Sequence, residues 1–97
     1  MNDAQPTPPI YHVLFHSPGP NWDPALSFQD QLGIMEHVRY MAGSGMIMGG
    51  PFLDNFGGMM MYDGSPEEAE RIAHADPTVK NGLLTVVVRP WLMAIGS

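Results

Sequence analysis

The order of its short apolar runs constrains this chain more than any other feature. "IYHVLFH" (10–16), "MIMGGPF" (46–52), "MMMYDG" (59–64) and "LLTVVVRPW" (83–91) are built from β-branched, aromatic and methionine side chains and punctuated by Gly, Pro and Asn, which is how strands read. Between the first two runs, and again between the last two, the pattern changes to that of a helix. Ser27 is a good N-cap with Asp30 at N3, a weaker form of the capping box, and predicts a helix from Phe28 to about Ala42 that Gly43 and Gly45 end. Ser65, with Pro66 at N1 and Glu68 at N3, predicts a full capping box and a second helix reaching about Ala75. "DNFGG" (54–58) turns the chain between the middle strands, and "DPTVKNG" (76–82) reads as an exit loop.

The resulting β-α-β-β-α-β order predicts an α+β fold of the ferredoxin-like kind, an antiparallel four-stranded sheet with both helices on one face. Alternation in the first strand sets Ile10, His12, Leu14 and His16 against Tyr11, Val13 and Phe15, and the last strand is apolar on both faces. A sheet that is apolar on two sides but helix-covered on one predicts a second copy packed on the open face, and therefore a homodimer. At 97 residues the chain is one domain (10–97) behind a polar, proline-rich and flexible lead (1–9). A domain this small gains from a partner subunit.

Composition removes several classes of function. Lys and Arg number 4 against 10 Asp and Glu, a net charge of −6, so no basic footprint exists for nucleic acid or an anionic membrane. The absence of cysteine excludes disulfides, thiolate metal sites and a cysteine nucleophile. No secretory pattern opens the chain and no run of about 18 apolar residues occurs, so the expected compartment is the cytoplasm. "GSGMIMGG" and "FGG" lack the lysine and hydroxyl of a phosphate loop. His12 and His16 share a strand face but stand roughly 13 Å apart, too far for one metal ion. Combinations of either with His37 or His74 stay open, although no recognised ligand motif is present. Strand alternation divides "MMM" between two faces, which reads as core or interface packing rather than a soft-metal site. The sequence calls for no cofactor.

The candidate chemistry lies in "IMEHVRYM" (34–41) and at the end of the second helix. At about 100° per residue, Ile34, Met35, Val38, Met41 and Ala42 form one stripe centred near Val38, with His37 at its edge. A histidine so placed reads first as a packing or surface residue and second as a proton carrier. Asp76 continues the apolar face of Ala69, Ile72 and Ala73 at a helix C-terminus, where the macrodipole prefers a cation. It either hydrogen-bonds the turn ahead of Pro77 or pairs with an imidazole from the other helix. In the second case His37 and Asp76 form a dyad: the carboxylate fixes the imidazole tautomer and the free nitrogen acts as general base or acid. Ser65, His16, Trp22 and Trp91 are candidate substrate contacts, each with a packing or capping role as its alternative.

The run "HVRYMAGSGMIMGGPF", then "GSPEEAERIAHADPTVKNGL", then "VRPW" resembles the YCII-related (YciI-like) family over roughly Ile10 to Trp91. The resemblance implies a dimeric α+β barrel and a His/Asp pair in a pocket, matching His37 and Asp76. It also implies acid–base chemistry on a small hydroxylated ring or lactone-like substrate, since the family contains a dehydrochlorinase acting on a chlorinated hydroxyquinol. The alternative is a non-catalytic small-molecule-binding or accessory dimer that kept the pocket. The loop "SPGPNWDPAL" (17–26), stiffened by Pro18, Pro20 and Pro24, is longer than in the plainest members of that family.

Overall fold

Residues 8–96 are described by the computed structural model; residues 1–7, most of the proposed lead, lie outside the described residues. Strand β1 (Ile10–Pro18) is central. It pairs antiparallel with β3 (Gly58–Tyr62) on one side and with β4 (Leu84–Leu92) on the other. Strand β2 (Met48–Pro51) pairs antiparallel with β3 and forms one edge. The result is an α+β fold with an open four-stranded antiparallel sheet in the order β2-β3-β1-β4. The proposed lead ends in a bonded segment, where Met93 N donates to Pro9 O at 3.0 Å.

Alternation sorts the sheet faces. Leu14 meets Met41 of α1 (Ile34–Ala42) and Ala69 and Ala73 of α2 (Pro66–Ala75) in one fully buried cluster, with Met60, Val86 and Val88 against it. A second cluster joins Phe28, Ile34, Leu83 and Leu84, backed by Trp22 and Val79. Both helices therefore cover the same sheet face, and the Tyr40 hydroxyl on α1 donates to Ile72 O on α2 at 2.8 Å. On the other face Tyr11 pairs with Trp91 and Phe15 with Val87, and Val87 and Trp91 remain exposed. No helix among the described residues is long and apolar enough to cross a membrane.

Three local expectations are corrected. The first helix starts at Ile34, not Phe28. Residues Phe28–Asp30 make only a 3-10 turn, Ser27 forms no side-chain cap, and Gly33 at φ 87° breaks the helical path in a region that side chains rarely adopt. The backbone N–H of Phe28 is instead taken by Asn55 Oδ1 at 2.6 Å. The capping box of α2 is half formed. Ser65 Oγ accepts from Glu68 N at 3.1 Å, but the Glu68 carboxylate accepts from the Tyr62 hydroxyl instead of reaching back. The exit loop contains a further helical turn, α3 (Pro77–Lys80).

The 17–26 loop is folded around one buried glutamine. Gln31 Nε2 donates to Asp23 O and Leu26 O at 2.7 and 3.1 Å, while Asp23 N donates to Gln31 Oε1 at 2.9 Å. Gly19 N and Asn21 N donate to Leu83 O and Gly82 O, both at 2.9 Å, which pins the loop beside the start of β4. Trp22 is thereby set against Phe28, with ring centroids 5.9 Å apart.

Candidate functional site

His37 sits at the centre of the buried face of α1, not at its edge. Ile34, His37 and Met41 are the buried residues, spaced i, i+3 and i+7 as one helix face requires, whereas Met35 and Val38 are largely exposed. Counting only apolar residues misplaces the buried face, because the imidazole itself occupies its middle. Along α1 the ring falls between Ile34 of one apolar cluster and Met41 of the other.

Asp76 arrives from the junction of α2 and α3. The following proline disfavours a helical conformation at position 76, so the chain leaves α2 there with ψ 125°, and Pro77 opens α3 at N1. Asp76 is thus the C-cap of one helix and the N-cap of the next. Its Oδ1 accepts from Thr78 N at 2.8 Å and from Thr78 Oγ1 at 2.7 Å. Its Oδ2 accepts from His37 Nδ1 at 2.5 Å, closer than the roughly 2.7–2.9 Å usual for a charge-assisted N–H···O bond. The two readings of Asp76 hold together: it bonds the turn and pairs with the imidazole. Burial would push its carboxyl up, but the bonds from His37 and from the Thr78 hydroxyl and amide outweigh it and hold the group below the usual carboxylate value. Asp76 is therefore a carboxylate at neutral pH, and His37 presents Nδ1–H to it.

The other ring nitrogen of His37 is differently placed. His37 lines a cavity of about 220 Å³ together with Phe28, Val38, Gly49 and Gly50, Met59 and Met60. Nε2 has no hydrogen-bond partner among the described residues, and it is not one of the sealed unpartnered side-chain atoms. An otherwise apolar cavity thus contains one side-chain proton acceptor, whose tautomer is set from behind by a sealed carboxylate.

His16 completes the cluster. It is 1% exposed, meets the His37 ring edge-on with centroids 4.6 Å apart, and holds Nε2 at 3.8 Å from Asp76 Oδ2. Neither of its ring nitrogens has a partner among the described residues. Burial, and then the neighbouring His37 charge, push its pKa down to about 4 against a smaller opposing pull from Asp76, so the ring is neutral. The donor atoms of His16, His37 and Asp76 all lie within 4.8 Å of one another, a grouping that could be read as a metal site. The His37–Asp76 spacing found here is that of a direct hydrogen bond. Two ligands at about 2.0–2.1 Å from one tetrahedral zinc ion stand roughly 3.3 Å apart, well beyond the 2.5 Å found here.

The remaining candidates are scattered. Ser65 caps α2 and is not among the cavity-lining residues. Trp22 lies behind Phe28, which does line the cavity and approaches the His37 ring edge-on at 6.3 Å. Trp91 stacks on Tyr11 on the opposite face of the sheet, beside Val13 and Phe15. His12 is buried without joining the cluster, and His74 is exposed, 3.3 Å from Glu70. Sequence reasoning missed Thr78 and Phe28. Thr78 was legible as the N2 donor of a one-turn helix opened by Asp-Pro, whereas Phe28 reaches the cavity only because the proline loop folds back on Gln31. Comparisons of this chain with protein-family models, with curated proteins and with solved structures returned no match.

Proposed function

We propose that the protein is a small enzyme that uses His37 and Asp76 as a general acid–base pair on a small ring-hydroxylated or lactone-like substrate, with no cofactor in the step. One observation carries the reading: Asp76 holds Nδ1 of His37 at 2.5 Å while the same residue lines an apolar cavity of about 220 Å³. The Nε2 lone pair takes a proton from the substrate, and Asp76 stabilises the resulting imidazolium through Nδ1–H. The substrate's electron pair then expels a leaving group, as in a dehydrochlorinase-type lyase, or the proton returns at another atom, as in an isomerase. The apolar walls exclude water from this exchange.

The sheet order, with both helices on one face, supports a ferredoxin-like arrangement, and the sequence resemblance supports a YCII-like enzyme. The exposed Val87 and Trp91, beside Tyr11 and Phe15, support a homodimer formed through that sheet face to close a barrel. The test of function is proton exchange. A panel of small ring-hydroxylated and lactone compounds is incubated with the protein in D₂O and followed by proton NMR for C–H exchange and release of a leaving group. Exchange that His37→Asn abolishes supports the acid–base reading. Compounds that bind but neither exchange nor turn over, equally with His37→Asn, leave a binding or accessory protein.

A further inference from the structure

We infer that the ligand of this site carries an apolar tail, and that the tail lies in a methionine-lined annex beside the His37 cavity, with Gly49 and Met60 setting its length and thickness. The inference rests on the cavity assigned above and deepens it. Val38, Gly49 and Met60 line the His37 cavity and also a second one of about 240 Å³, whose other walls are Met41, Ala42, Met46 and Met48. The cavity at His37 alone falls below the roughly 300–1,000 Å³ of sites that enclose a small organic ligand; the adjoining space, which shares three wall residues with it, would supply the remainder once the Met60 side chain moves aside. The annex has no charged side chain in its wall. A tail that enters it meets mainly carbon and thioether sulfur beside some backbone polar atoms, and its hydroxylated head is left at His37.

Gly49 leaves room for the Met60 side chain at the boundary of the two cavities. It stands opposite Met60 in the β2–β3 register. A Cβ at position 49 would collide with the Met60 sulfur and lie 2.7 Å from Met59 O. The glycine therefore lets the Met60 side chain rest across β2 between the two cavities. Methionine is unbranched and adapts to irregular space, so Met60 can yield to a tail without disturbing the sheet. A charged or polyphosphorylated tail is disfavoured here, because the annex offers no partner for it.

A series of 4-alkylphenols from phenol to 4-pentylphenol, titrated into the protein below the concentrations at which they self-associate, tests the inference. Affinity is followed by calorimetry, and position by NMR of the His37 ring and of the Met46 and Met48 methyl groups. The expected result is a rise of roughly fourfold in affinity per added methylene, with the methionine methyls moving only for the longer members and His37 moving for all. Met48→Glu, at a largely exposed position, is expected to erase the gain from the tail and leave phenol itself unaffected. Equal affinity across the series, or methionine signals that never move, would overturn the annex while leaving the acid–base reading intact. A tail-dependent gain without any response at His37 would overturn the spanning ligand, since head and cavity would then be unconnected. Absence of binding by every member would overturn it as well. Loss of proton exchange in the function test alone would count against the chemistry and not against the annex.

Discussion

The two sides of the His37 ring are built on opposite plans. On the Nδ1 side every accepting position of Asp76 that is used is directed: Oδ1 by two Thr78 donors and Oδ2 by the imidazole, in a region sealed from solvent. On the cavity side the wall is glycine backbone, thioether, aliphatic carbon and the Phe28 ring, with exposed Val38 at the rim. Hydrogen bonds have preferred angles and punish displacement, whereas dispersion contacts tolerate it. The contrast assigns one side to holding a proton in place and the other to accepting different shapes.

Removing Asp76 should have the largest effect. Asp76→Ala strands the Nδ1–H of His37 and both Thr78 donors in a buried region, and a loss of about 3 kcal/mol or more is expected in urea unfolding. Asp76→Asn keeps an acceptor oxygen and should lose distinctly less stability, while ending proton exchange at the site because no carboxylate remains to balance an imidazolium. A loss below about 1 kcal/mol for Asp76→Ala would mean that the sealed side is not rigidly held, and the contrast would collapse.

The next effect in size is a pH dependence carried by His16. Its folded value of about 4 lies below the ordinary 6.5, so between those limits the unfolded chain binds a proton that the folded chain refuses. Stability therefore rises with pH across that window. It is complete above 6.5 and loses up to about 3 kcal/mol as pH falls towards 4. The titratable groups facing His16 are His37 on α1 and Asp76 at the α2–α3 junction. Asp76 acts in a different window, since its lowered value keeps its stabilising contribution until pH falls below 3.8. His16→Leu should flatten the upper slope and leave the lower one. It should also raise stability near neutral pH by about 1 kcal/mol, because it removes a buried ring whose nitrogens lack partners. An unchanged slope between pH 4 and 6.5 in His16→Leu would assign that slope to another group.

The four strands and the two longer helices were legible from their apolar runs and turn residues, whereas the 3-10 turn and α3 were not; the Ser65 cap was legible because its donor lies three residues on. The pairing of His37 with Asp76 was legible only as a possibility, since periodicity says which helix face a residue occupies and not which residues of another helix it meets. The start of α1 was misjudged for a physical reason. Ser27 has the chemistry of a cap, but Gly33 adopts a conformation that breaks the helix, and the Phe28 amide finds Asn55 across the fold. His16 was placed on the correct sheet face, yet its approach to Asp76 depends on where α3 begins. The cavity itself left almost no trace, because it is made by the relation of β2 to α1 and by Phe28 on a loop whose path is set by a single buried glutamine.

The smallest expected effect falls on the adaptable side. Met60→Leu exchanges side chains of similar size at a half-buried position opposite a glycine, and should change stability by less than about 1.5 kcal/mol. Its consequence should appear in selectivity. Leucine branches at Cγ and cannot swing aside as an unbranched thioether does, so the affinity gain along the alkylphenol series should stop at a shorter chain, with a smaller change for phenol, which also meets residue 60 in the His37 cavity. A stability loss as large as that of Asp76→Ala would show that the cavity wall is as tightly specified as the carboxylate behind the ring. The space next to His37 would then be an inflexible packing defect, and the division of labour between the two sides of the imidazole would fail at the side where ligand discrimination is assigned.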